Sequence, residues 1–168
     1  MSVVDNVSED HIADLLWNAV NSGITLKEVH DIPQDMMEGL YAHAYNYYNK
    51  GQLDEAATFF RFLCIYDFYN PEYYIGLGAV YQLKKEYQKA ADIYAVAFSL
   101  AQNDYRPIFF NGQCQLLLQK TNKARQCFEL VMEQSQDESL KIRAGVYLNN
   151  LKKSDPASED TLQNEDMT

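Results

Sequence analysis

A chain of 168 residues with 47% hydrophobic and 23% charged residues carries enough apolar material for one ordinary domain with a real core, which excludes disorder over most of its length. The net charge of −10, from 14 basic and 24 acidic residues with no cluster of Lys and Arg, argues against direct binding of nucleic acid or of anionic membranes. The opening residues MSVVDNVSED lack a basic stretch followed by an apolar run, no run is long enough to span a bilayer, and Cys64, Cys114 and Cys127 form no CxxC; the expectation is a cytoplasmic protein.

In chain order, Ser8 can cap a helix over 11–21, with Ile12, Leu15, Leu16, Ala19 and Val20 on one side and Gly23 as its stop. A short helix fits 26–30, and Pro33 can open the next. No alternating strands with hairpin turns follow. Beyond this point the chain repeats itself. Ala44, Gly78 and Gly112 recur at one constant interval, and Ala56, Ala90 and Ala124 recur at the same interval, as do Phe60, Tyr94 and Phe128. Tyr47 and Tyr81 match at this offset too, with Gln115 as the departure. The order is a small residue, an aromatic three later, Ala twelve after the small residue and an aromatic four further on. Both order and interval resemble the tetratricopeptide pattern, whose period is about 34 residues. Each unit is then two antiparallel helices. Small residues let their backbones approach, and stacking on neighbours buries a face that no unit can bury alone.

The expected fold is therefore all-α, with three tetratricopeptide helix hairpins between an N-terminal helical segment and a C-terminal capping helix. The expected boundaries are 1–36 for the N-terminal segment, 37–70, 71–104 and 105–138 for the repeats, and 139–153 for the cap. Residues 154–168 form an acidic tail, which holds five acidic residues and no Lys or Arg and is expected to be disordered. Gly51, Lys84–Tyr87 and Gln119–Lys123 are the expected hairpin turns, and Pro71 and Pro107 mark new helices.

Twelve of the thirteen tyrosines lie between Tyr41 and Tyr105. Leu40, Ala44 and Tyr47 fall at i, i+4 and i+7 and occupy the packing columns of the first unit. Tyr41, Tyr45 and Tyr48 form a second such set, turned by about 100°. That set is spare, and it lies on a helix expected to line the concave side of the stack. Its counterparts are Ile75, Ala79 and Gln82, then Phe109, Gln113 and Leu116. A wall of this kind, apolar with polar edges and almost without charge, marks a binding surface, and tyrosine joins a broad apolar ring to a water-tolerant hydroxyl. The alternative for these rings is packing against the N-terminal helix or a second copy. Three apolar anchors contribute about 1.5–3 kcal/mol each, against roughly 2–5 kcal/mol to order a disordered segment, so the expected affinity for an extended peptide is modest.

His11, His30 and His43 lack metal-ligand spacing, no phosphate loop, nucleophile elbow or dinucleotide fingerprint is present, and the expectation is no enzyme, no metal and no cofactor. A clamp for a carboxylate terminus, used by some tetratricopeptide domains, needs Lys and Asn where this chain has Tyr41 and Tyr45.

The stretches IPQDMMEGLYAHAY (32–45), ATFFRFLCIYDFYNPEYYIGLGAVYQLKKEYQKAADIYAVAF (57–98) and NDYRPIFFNGQCQLLLQKTNKARQCFELV (103–131) resemble the class II chaperones of bacterial type III secretion, over about residues 8–152. The resemblance implies a small cytoplasmic chaperone that keeps hydrophobic translocator proteins soluble before export. It would hold an extended client segment of P-x-L-x-x-P form in the concave groove. It maps the client pockets onto Tyr41, Tyr45 and Tyr48, with Ala44, and less directly onto Phe68, Leu77, Tyr94 and Phe109. It also implies a homodimer through Leu15, Leu16, Trp17 and Val20, and in certain members a second role as partner of an AraC-type transcription activator.

Overall fold

The computed structural model describes residue 17 and residues 21–154. Among these, every regular element is a helix: α1 (Leu26–Val29), α2 (Gln34–Asn49), α3 (Leu53–Tyr66), α4 (Pro71–Leu83), α5 (Tyr87–Leu100), α6 (Arg106–Leu117), α7 (Thr121–Gln134) and α8 (Glu138–Lys153). The contacts divide the chain into two compact units, one ending at Val80 and the other beginning at Tyr81. The expected helix over 11–21 lies outside the described residues apart from Trp17 and Asn21. So do the expected tail beyond Ser154 and three of the four expected dimer residues, Leu15, Leu16 and Val20. Trp17 is 67% exposed.

Three of the repeat columns are buried, whereas Tyr47 and Tyr81 of the tyrosine column remain half-buried. Ala44, Ala56, Ala90, Ala124, Phe60 and Phe128 have no exposed surface, and Tyr94 retains 1%. Gly78 and Gly112 are buried as well. In the first unit α2 packs along α3. In the second, α5 packs on α6, α6 on α7 and α7 on α8. The core of the second unit joins Phe109, Ala124, Phe128, Val131, Leu140 and Ala144. Phe128 stacks on Tyr147 with centroids 4.6 Å apart, so α8 closes this core with one face. Its other face leaves Ile142 and Val146 exposed.

The same turn ends α2, α4 and α6. Gly51, Lys85 and Gln119 hold equivalent places in successive repeats and adopt φ of 73°, 62° and 59°. At each turn the positive-φ residue donates its N–H three residues back and the following residue donates five back. Thus Gly51 bonds Tyr48 and Gln52 bonds Tyr47, Lys85 bonds Gln82 and Glu86 bonds Tyr81, and Gln119 bonds Leu116 and Lys120 bonds Gln115. This is the paired bond set that ends a helix through a left-handed residue. Glycine takes that conformation without strain, whereas Lys85 and Gln119 crowd their Cβ against the backbone.

Gln115, the departure from the tyrosine column, is part of a buried polar ladder. The Asn111 side-chain amide donates to the Ala91 carbonyl of α5 at 3.0 Å. That leaves Asn111 Oδ1 to accept from the Gln115 amide at 2.9 Å. An aromatic ring in this column would strand the Asn111 oxygen.

At the N-terminal edge, Thr25 and Glu28 form a reciprocal capping box at the start of α1. Lys27 then reaches Asp67, which caps the end of α3, at 2.7 Å. The hydrogen bond to Asp67 raises the Lys27 pKa above its ordinary value, against the opposing effect of burial. The pair therefore stabilises fully below the ordinary lysine value of 10.5 and its contribution is lost as pH rises through the higher folded value. Lys27→Met strands a carboxylate on a residue only 8% exposed, and the expected loss is about 1–3 kcal/mol in urea unfolding at neutral pH. Lys85→Gly and Gln119→Gly are each expected to gain about 1 kcal/mol, seen as a melting point raised by roughly 2–4 °C. Gly51→Ala is expected to move it the other way.

Candidate peptide-binding site

The spare tyrosine set occupies one face of α2 in the first unit. Proline at position 33 starts this helix, and from there the helical period brings Tyr41, Tyr45 and Tyr48 onto a single stripe. All three side chains are partly exposed, beside the buried Ala44 that faces the hairpin partner. Tyr41 and Tyr45 meet edge to face, with centroids 4.9 Å apart and planes at 81°. Tyr45 and Tyr48 repeat the arrangement at 6.1 Å and 75°. The Tyr41 and Tyr45 hydroxyls are 3.5 Å apart, a weak contact. Partial burial, and secondarily Tyr45, raise the Tyr48 hydroxyl above its usual pKa, so this hydroxyl is a neutral donor and acceptor.

Behind the row stands a second rank. Phe60, fully buried on α3, lies edge to face with Tyr41 at 6.0 Å and with Tyr45 at 5.4 Å. Tyr73, 3% exposed at the start of α4, brings its ring to 5.5 Å from Tyr41. A Cβ built on Gly76 would overlap the Phe60 ring, so this glycine is where the chain gives way to the ring. Phe60 reads from sequence only as a stack column. Gly76 reads as part of GLGAV, although its counterparts in the neighbouring repeats are Ala42 and Phe110. That mismatch is the signal that could have set Gly76 apart from the repeat.

The other expected site positions lie elsewhere. Phe68 is half-buried in the turn after α3, against Tyr69 at 4.6 Å. Its carbonyl accepts the Tyr74 hydroxyl at 3.2 Å. Leu77 is 4% exposed and belongs to the core of α4. Tyr94 and Phe109 belong to the second unit. Tyr94 is 1% exposed and donates its hydroxyl to Gln82 Oε1 at 3.0 Å. Phe109, expected on an open wall, has no exposed surface. Its ring is edge to face with Tyr147 at 5.7 Å, and the Arg143 guanidinium stands 4.5 Å from its centre. The reason is α8, which covers the stripe of α6 that corresponds to the tyrosine stripe of α2. Gln113, on that stripe, likewise donates to the Tyr147 hydroxyl at 2.9 Å. The first unit thus holds the half-open aromatic face.

No group of three or more His, Cys, Asp or Glu suited to a metal occurs among the described residues, and no helix among them is long and apolar enough to cross a membrane. The thiols are pushed up by burial, Cys64 and Cys114 to about 12 and Cys127 to about 11. A protonated thiol is a poor nucleophile. In the native protein at pH 8, all three are expected to resist iodoacetamide, and mass spectrometry should show full alkylation only after unfolding.

Residues 37–70 and 71–104 each match the tetratricopeptide repeat family. Over 152 residues the chain is 67% identical to chaperone protein SicA of Salmonella typhimurium, covering 90% of this chain and 92% of that one. Among solved structures, a T3SS complex from Aeromonas hydrophila matches with a TM-score of 0.78 at 28% identity, over 84% of this chain and 97% of that one. The Yersinia enterocolitica type III secretion chaperone SycD, in complex with a peptide of the translocator YopD, matches with a TM-score of 0.69 at 27% identity, over 73% of this chain and 97% of that one.

Proposed function

The chain belongs to the family of the tetratricopeptide chaperone SicA, and on that footing we propose that it is a type III secretion chaperone for hydrophobic translocators, holding an extended client segment against the tyrosine face of its first unit. The observation that carries the reading is the row Tyr41, Tyr45 and Tyr48. These rings are ordered by edge-to-face contacts, yet each keeps part of its surface open. A row fixed in advance loses little entropy when a client arrives. Its hydroxyl rim bonds the backbone of an extended peptide, and the ring faces take the side chains of Pro and Leu. SycD, related in fold, binds a peptide of a translocator.

Phe68 extends this surface at the turn after α3, while Ala44 and Leu77 support it from within the packing of the first unit. The protein acts in the cytoplasm, before export of the client. The finer partners implied by the resemblance belong to the same proposal: a homodimer through Leu15, Leu16, Trp17 and Val20, and an AraC-type activator engaged once the client has left.

Tyr41→Ala combined with Tyr45→Ala is expected to weaken client capture by at least about tenfold, the equivalent of ~1.4 kcal/mol, with helical content retained. Co-expression with neighbouring open reading frames and mass spectrometry of the co-purified material measures it. Unchanged capture by a folded double variant rejects the tyrosine face as the holding surface. For the activator, a pull-down from cells without translocators should recover a transcription factor, and its absence removes that partner.

A further inference from the structure

The rings that face solvent do not fix their own positions. Tyr41 and Tyr45 both rest on Phe60. Phe60 in turn occupies the space a side chain at residue 76 would fill, where three of its ring carbons would overlap an ideal Cβ. An overlap with an aromatic ring cannot be absorbed by a flexible chain end, so the ring itself has to move. Phe60 has no exposed surface, and its other neighbours include the two tyrosines. Movement away from residue 76 therefore presses on the row.

We propose that Phe60 and Gly76 are positioning residues for client binding: the ring sets the spacing and tilt of Tyr41 and Tyr45, and the missing side chain at 76 sets the ring. Neither residue touches the client. The proposal rests on the reading of the tyrosine row as the holding surface, and it names what tunes that surface. Gly76 stands outside the repeat columns, so its glycine answers to this ring and not to the general hairpin contact.

The coupling has a volume argument. Phe60→Leu removes ring volume, and Gly76→Ala adds a methyl group where that volume was. The double variant nearly conserves the packed volume that each single variant disturbs. Binding is read by fluorescence anisotropy with a labelled synthetic peptide carrying a Pro-x-Leu-x-x-Pro core. Each single variant is expected to bind about tenfold more weakly, since a ring pair contributes energy of that order. The double variant is expected within about threefold of the parent, a non-additive cycle. If Gly76→Ala does not fold, the comparison of Phe60→Leu with the double variant decides alone: tighter binding by the double variant supports the proposal, and equal or weaker binding overturns it. Near-UV circular dichroism reports the tyrosine surroundings without any peptide. There the double variant should lie closer to the parent than Phe60→Leu does, and the reverse order also overturns the proposal. A parent protein that ignores the peptide while the dichroism follows the expected order refutes the holding surface and leaves the positioning pair standing.

Discussion

The close approach of two helix backbones is the constraint from which the hairpins follow. Ala44, Ala56, Ala90 and Ala124 are fully buried, and at such positions a larger side chain would force the helices apart. Once the backbones are that near, the space beside each contact is too wide for alanine and must be filled by a ring. Phe60, Tyr94 and Phe128 fill it. The turns obey the same geometry. A left-handed residue reverses the chain within a few positions, and its paired backbone bonds satisfy carbonyls that a frayed helix would leave open. Glycine at 51 meets this demand at ease. Lys85 and Gln119 meet it under strain, which at Gln119 the packing of α6 on α7 outweighs.

The half-open stripe of α2 contrasts with its counterpart on α6. On α6 the corresponding stripe is covered, because α8 places Tyr147 and Arg143 over Phe109. On α2 the stripe holds tyrosines whose rings contact one another and the rank behind them, and part of each remains open. Tyrosine fits this half-buried duty. Its ring supplies the contact area of a core residue, and its hydroxyl keeps the rim compatible with water. The face thus combines aromatic contact area with polar tips and avoids a bare aliphatic patch.

Much of this is legible in the sequence. The repeat spacing yields the helices, the columns and the turns, because each is a local requirement recurring in register. The spare tyrosine stripe is legible for the same reason, as a second i, i+4, i+7 set on one helix. What escapes is contact between elements far apart in the chain. Phe60 looks like a column residue, and nothing in its neighbours reveals that it also carries Tyr41 and Tyr45. Phe109 shares its place in the repeat with Tyr41, but the helix that covers it begins only at Glu138. Gln115 is visible as a departure, yet its reason is the amide of Asn111 and a carbonyl on another helix. The Thr25–Glu28 box carries a signature of its own, T-x-x-E, but it stands outside the repeat and so has no second copy to draw the eye.

The hairpins also determine how the chain comes to be folded. α2 pairs with α3, α5 with α6, α6 with α7 and α7 with α8, so these interactions join neighbours in sequence. Loops that short close quickly, and structures of low contact order reach their final state in microseconds to milliseconds. The first hairpin can form while later residues are still being synthesised, since chain elongation adds only about 5–20 residues each second. On the proposed function, that order of events has the chain ready to receive its clients soon after leaving the ribosome.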